Sequence, residues 1–96
     1  MFKSKKKKIE FSNEELRIVL YALNDFRNDL LREEKIVDPI NEVIVKLDNK
    51  MKTTKGELAV MINGLNYKRK ALLNEGQDTP EIDELLLRII DIYEKM

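Results

Sequence analysis

Apolar residues recur three and four positions apart in four segments of the chain, the spacing that places them on one face of an α-helix. The four sets are Leu16, Val19, Leu20, Leu23, Leu30 and Leu31; Ile40, Val43, Ile44, Leu47 and Met51; Leu58, Met61, Ile62, Leu65, Leu72 and Leu73; and Ile82, Leu85, Leu86, Ile89 and Tyr93. This pattern predicts helices over residues 13–34, 39–51, 55–75 and 80–95. Each helix is amphipathic and needs neighbours to cover its apolar face.

The first half of the chain matches the second half when the sequence is shifted by 42 residues. Leu23-Asn24 falls on Leu65-Asn66, Arg27 falls on Arg69, and the intervening apolar positions match in kind. A shared helical period would align the leucines but not the polar residues between them. We therefore predict an all-α four-helix bundle made of two tandem-duplicated helical hairpins with pseudo-twofold symmetry, with repeats over residues 12–52 and 54–96.

Helix-start signals repeat at the same offset. Ser12 with Glu15 and Thr54 with Glu57 each have the spacing of a capping box. The second helix of each repeat is predicted to begin at Asp38-Pro39 or Thr79-Pro80, a cap residue followed by proline in the first helical position. Because these prolines are 41 residues apart rather than 42, we expect the preceding turn to differ by one residue.

Composition narrows the class of protein. The 96 residues are 43% hydrophobic and 38% charged, which suits one folded domain over residues 11–96. There is no histidine and no cysteine, so we expect no ordinary zinc site, no thiol chemistry and no cofactor. No segment has the length and apolarity of a signal peptide or membrane span, and a cytoplasmic location is expected.

The charge is unevenly distributed although it sums to zero. Residues 1–10 are expected to form a basic flexible tail, and the rest of the chain is acidic. The lysines of the tail are Lys3, Lys5, Lys6, Lys7 and Lys8. A charge run of this kind is usually a solvated chain end. The functional alternatives are contact with nucleic acid phosphates or with an anionic membrane.

A second apolar row widens the buried face of the first and third helices. The row contains Ile18, Ala22, Phe26, Val60 and Gly64. The small residues Ala22 and Gly64 would allow these two helices to approach closely at the pseudo-twofold axis. Alternatively, the row is an exposed seam for homodimerisation or for a partner helix.

Arg27 and Arg69 lie within the apolar arcs of their helices. Their aliphatic stems would pack on the core while each guanidinium reaches a carboxylate, a helix-end carbonyl or water. The functional alternative is a symmetry-related pair that grips an anion or an acidic residue of a partner.

The sequence offers little support for an enzyme or a helix-turn-helix reader. We found no nucleophile motif and no glycine-rich phosphate loop, and the acidic starts of the second and fourth helices would repel DNA phosphates. The segment from Leu20 to Leu30 and its echo from Leu65 to Gly76 resemble small uncharacterised helical proteins of Gram-positive bacteria and their mobile elements. That resemblance implies a bacterial cytoplasmic setting and no particular activity.

The sequence therefore favours a non-enzymatic protein–protein interaction module, an adaptor or regulator that binds a protein partner or itself. The alternative is an accessory nucleic-acid-binding protein that uses the lysine tail.

Overall fold

The computed structural model describes residues 6–96 as four α-helices and one short pair of β-strands. The elements are β1 (Lys6–Lys7), α1 (Asn13–Arg32), α2 (Asp38–Asp48), β2 (Thr53–Thr54), α3 (Lys55–Asn74) and α4 (Pro80–Lys95). The all-α fold class and the four predicted helices are confirmed. Lys3 and Lys5, two of the candidate phosphate contacts, lie outside the described residues.

The two long helices begin and end in the same way. At the start of α1, the Ser12 hydroxyl accepts from the Glu15 N–H at 3.1 Å, and the Glu15 carboxylate accepts from the Ser12 N–H at 2.9 Å. Thr54 and Glu57 form the equivalent capping box on α3. Helix α1 ends at Arg32, two residues earlier than predicted, and α3 ends at Asn74, one residue earlier than predicted.

Turns with left-handed backbone conformation close α1 and α3. Glu34 has φ 59° and Gly76, 42 residues later, has φ 78°. In the first turn the Lys35 N–H donates to the Leu30 carbonyl oxygen, and in the second the Gln77 N–H donates to that of Leu72. These bonds satisfy carbonyls that the helix itself leaves free, which is the Schellman arrangement.

The start of α2 differs from the prediction, and the start of α4 at Pro80 matches it. The N-cap of α2 is Val37 rather than Asp38, which places Pro39 at the second helical position, whereas Pro80 occupies the first position of α4. Both sites suit proline because the first-turn N–H groups have no partner within the helix. The expected one-residue difference between the turns is wrong: α1 and α3 end 42 residues apart, and α2 and α4 begin 42 residues apart.

Helices α1 and α3 lie side by side and run in the same direction. Their contacts advance together along both helices, from Leu23 against Gly64 to the aromatic pair of Phe26 and Tyr67, whose ring centroids are 5.3 Å apart. Helix α2 packs on α1 and α3, and α4 packs on α3. One apolar core runs through all four helices, and its fully buried members include Val19, Leu23, Val43, Leu58, Met61, Leu65 and Ile89.

The N-terminal segment is more structured than expected. Residues 1–10 were predicted to be a flexible tail, but Lys6 and Lys7 pair antiparallel with Thr54 and Thr53. The Thr53 hydroxyl, on a buried residue, donates to the Lys7 carbonyl oxygen at 3.3 Å. Ile9 and Phe11 are half-buried against the core. A strand partner and the apolar contacts of Ile9 and Phe11 thus join this part of the segment to the helices, whereas the flexibility of the tail stays a prediction.

Candidate functional site

The outer face of α1 carries a shallow groove with an exposed aromatic residue at its centre. Its volume is about 320 Å³, and its lining consists of Asn13, Leu16, Arg17, Leu20, Tyr21 and Asn24. Tyr21 is 62% exposed, and Leu16 and Leu20 are half-buried beside it. Apolar surface with a polar rim and an aromatic centre is the usual composition of a protein-binding patch.

The candidate seam of small and apolar residues is used inside the protein. Ala22 and Gly64 are buried, and a Cβ atom added at Gly64 would lie 2.9 Å from Leu23 Cδ2. Ile18, Phe26 and Val60 are half-buried and pack against the core. The interpretation of these five residues as an exposed docking seam is therefore wrong for Ala22 and Gly64, because α1 and α3 approach each other at this point.

Arg27 and Arg69 each bind a side chain of the next helix in the chain. Arg27 Nε donates to Asn41 Oδ1 at 2.6 Å, and Arg69 Nε donates to Asp83 Oδ1 at the same distance. The Thr79 hydroxyl also donates to Asp83 Oδ1, at 3.1 Å. These contacts match the structural role, in which the stem packs and the guanidinium reaches a polar partner. Within residues 6–96, no hydrogen bond joins the two arginines into one anion site.

Two ion pairs connect the hairpins to each other near the starts of α1 and α3, and a third joins Lys68 on α3 to Asp25 on α1 at 2.6 Å. Arg88 on α4 donates to both carboxylate oxygens of Glu15 on α1, at 3.0 and 2.9 Å. Lys46 on α2 lies 2.7 Å from the carboxylate of Glu57 on α3. Arg88 also donates to the Glu10 carbonyl oxygen and lies over the Phe11 ring, 5.6 Å from its centroid.

These contacts lower the pKa of both glutamates. The hydrogen bond from the Ser12 backbone is the largest influence on the pKa of Glu15, and Arg88 lowers this pKa further, against the opposing effect of burial. Burial acts to raise the pKa of Glu57, but the hydrogen bonds from Lys46 and from Thr54 together outweigh it. Both carboxylates are therefore committed to capping and pairing rather than to proton transfer at neutral pH.

Six lysines lie at the end of the molecule where β1 pairs with β2, and we call them the lysine cluster: Lys6, Lys7, Lys8, Lys50, Lys52 and Lys55. All six residues are exposed. The strand pairing places Lys6 and Lys7 beside the segment that carries Lys52 and Lys55. Lys8 and Lys50 line one cavity of about 220 Å³ above the apolar side chains of Leu47 and Met61.

Charge is separated between the two ends of the molecule. The contacts above group residues 6–17, 46–57 and 88–96 toward one end and residues 25–42 and 67–84 toward the other, and the two groups meet where Glu81 and Glu84 line one cavity with Ser12 and Glu14. The first set contains ten basic and seven acidic residues, and the second contains six basic and eleven acidic residues. The helices carry no charged residue between these sets. The lysine cluster therefore lies on a basic end, opposite an acidic end.

The described chain offers no grouped ligands for a metal. No cluster of three or more acidic side chains that could hold an ion occurs within residues 6–96.

Burial raises the pKa of Tyr67, and the Asp29 carboxylate adds to that shift, so this phenol stays protonated at neutral pH. In the same part of the chain, every helix is too short or too polar to cross a bilayer.

Sequence reasoning missed Tyr21 and the three lysines at positions 50, 52 and 55. Tyr21 could have been found, because an aromatic residue stands in the polar stripe of its helix where α3 has Asn63, 42 residues later. The lysine cluster had no local signal, since only strand pairing joins its members. Comparison with protein-family models, curated proteins and solved structures finds no match.

Proposed function

We propose that this protein is a non-enzymatic interaction module, an adaptor or regulator, that binds an amphipathic helix of a partner protein along the outer face of α1. The observation that carries the proposal is the 62% exposure of Tyr21 beside half-buried Leu16 and Leu20. Tyrosine combines a large apolar ring with a hydrogen-bonding tip, and it is enriched at the energetic centres of interfaces. Asn13, Arg17 and Asn24 supply a polar rim.

The comparison of Tyr21 with its counterpart strengthens this proposal. Position 63, 42 residues later on α3, holds an exposed asparagine. A polar residue at this place is thus compatible with the same helix, and the fold gives no reason for a tyrosine at position 21. An exposed tyrosine flanked by apolar side chains and a polar rim has the composition of a binding contact, which supports the proposal.

The proposal includes the ancestry and arrangement of the two halves. A tandem duplication that formed a four-helix bundle with pseudo-twofold symmetry accounts for the 42-residue recurrence of capping boxes, helix ends and arginine contacts. The two ion pairs give independent support. Adding 42 to Lys46 gives Arg88, and subtracting 42 from Glu57 gives Glu15, so each pair is the image of the other when the halves are exchanged.

The non-enzymatic part of the proposal rests on the chemistry of the side chains. The sequence contains neither histidine nor cysteine. Glu15, Glu57 and Asp83 are engaged by cationic partners, and a general base needs a free group with a pKa near the working pH. We also propose a cytoplasmic location, as expected from the sequence analysis.

The test compares Tyr21→Lys with Asn63→Lys, which introduces the same side chain at the equivalent place on α3. The partner is first captured from the native host and then titrated in purified form against each protein. We expect the wild type and Asn63→Lys to bind the partner and Tyr21→Lys to lose this binding. Analytical ultracentrifugation of the same proteins reveals whether the partner is a second copy. Capture of the same proteins by Tyr21→Lys and by the wild type would rule out the α1 face.

A further inference from the structure

We propose that the lysine cluster binds the phosphate backbone of double-stranded nucleic acid without reading the bases. Its six members come from the N-terminal segment, from the connection between α2 and α3 and from the first residue of α3, and the β1–β2 pairing brings these segments together. None of the six takes part in an ion pair within the described chain, whereas Lys46, Lys68 and Arg88 do. The cluster is therefore a preassembled surface of unneutralised positive charge.

Charge separation gives this surface a defined orientation. The protein has no net charge, so a polyanion would not attract it uniformly. The acidic end would turn away from a row of phosphates and the basic end would turn toward it. Lysine ammonium groups act as point charges that suit phosphate oxygens, and Arg88, which could form bidentate contacts with a base, is already bound to Glu15.

A duplex fits this end better than a single strand. Single-strand binding depends on aromatic rings on which bases stack. The two aromatic residues that the structure describes at this end are covered by cations: Lys55 Nζ lies 4.6 Å from the centroid of Tyr93, and Arg88 lies over Phe11. A duplex also presents more phosphates per unit length, which favours contacts made through charge alone.

A membrane surface fits less well for a different reason. Stable attachment to a bilayer needs apolar insertion in addition to basic charge. Ile9 and Phe11 pack against the core instead of projecting from the N-terminal segment. Within the described part of this end, Met51 is the only exposed large apolar side chain, at 52%.

The experiment measures fluorescence anisotropy of a short labelled DNA duplex with the full-length protein over about 50 to about 200 mM salt. The double variant Lys50→Gln/Lys52→Gln removes two charges from the cluster. The control Lys35→Gln/Lys70→Gln removes two charges from the acidic end. We expect the first variant to bind about tenfold or more weakly at low salt, with a logarithmic salt slope shallower by about two, and the control to match the wild type.

Several results would overturn the proposal. These are absence of duplex binding at low salt, equal binding by the cluster variant and the wild type, or tighter binding of labelled oligothymidine than of duplex. Sedimentation with phosphatidylserine vesicles in the absence of duplex binding would also overturn it and would point to a membrane. Far-UV circular dichroism checks that the variants are folded. Because Tyr21 lies outside the cluster, failure here leaves the α1 proposal untouched.

Discussion

Lys46 and Glu57 form the most enclosed ion pair of the described chain, with their side chains 25% and 14% exposed and their nearest atoms 2.7 Å apart. Lys46 belongs to the first hairpin and Glu57 to the second, so the pair holds the halves together. Glu57 also completes the capping box of α3 by accepting from the Thr54 N–H at 2.8 Å. One carboxylate thus fixes both the start of a helix and its contact with the other hairpin.

Replacement of Glu57 should separate these two roles. Glu57→Gln keeps an acceptor for the Thr54 N–H, since glutamine also serves in a capping box, but it removes the charge that faces Lys46. Glu57→Ala removes both. We expect urea unfolding to show a loss of about 1 kcal/mol for Glu57→Gln and about 2 kcal/mol for Glu57→Ala. No loss in Glu57→Gln would show that the ion pair does not contribute, and equal losses in the two variants would show that the capping hydrogen bond does not.

Stability should decrease in acid through the two pairing glutamates. Folding lowers the pKa of Glu15 and Glu57, so the stability that they contribute is present above the pKa of the unfolded glutamate. It is lost as the pH falls below the ordinary glutamate pKa and through the lower pKa values of the folded protein. The double variant Glu15→Gln/Glu57→Gln should be less stable at neutral pH but should lose less in acid. Parallel curves of melting temperature against pH would contradict this.

Two glycines of α3 should respond in opposite directions to alanine. At Gly64 the new Cβ would meet Leu23 Cδ2 at 2.9 Å in a fully buried position, so we expect a loss of about 1 kcal/mol despite the better helix propensity. At Gly56 the nearest atom is Thr54 Oγ1 at 3.9 Å, and alanine should stabilise by up to about 0.5 kcal/mol. Thermal unfolding measures both. Stabilisation by Gly64→Ala would mean that α1 and α3 are not in close contact there.

The left-handed turns allow a test by exchange between the repeats. Glu34 carries a side chain in a conformation that favours glycine, with φ 59°, and Gly76 has φ 78° at the matching place. Glu34→Gly should therefore stabilise by about 0.5–1 kcal/mol, and Gly76→Glu should destabilise by about 1 kcal/mol. Urea unfolding of the two single variants provides the measurement. Shifts in the same direction would contradict the turn geometry.

The helices could be predicted because their signals are local. Apolar spacing and the pairs Ser12 with Glu15 and Thr54 with Glu57 act within one or two turns, so the starts of α1 and α3 are correct to the residue. The start of α2 was misplaced by one residue, because Pro39 suits either of the first two helical positions and therefore does not decide between Asp38 and Val37 as the cap. The partners of Arg27 and Arg69, Asn41 and Asp83, could not be named from the sequence, because each lies on another helix.

By itself the sequence determined the number of helices, their approximate bounds and the 42-residue correspondence between the halves, since all of these depend on residues close together in the chain or on direct self-comparison. Tertiary structure decided which of the apolar rows is buried, that Tyr21 stays exposed, and that Lys6 to Lys8 lie beside Lys52 and Lys55. The physical reason is that burial and charge clustering depend on distances between segments. Packing of whole helices sets those distances, and no local pattern records them.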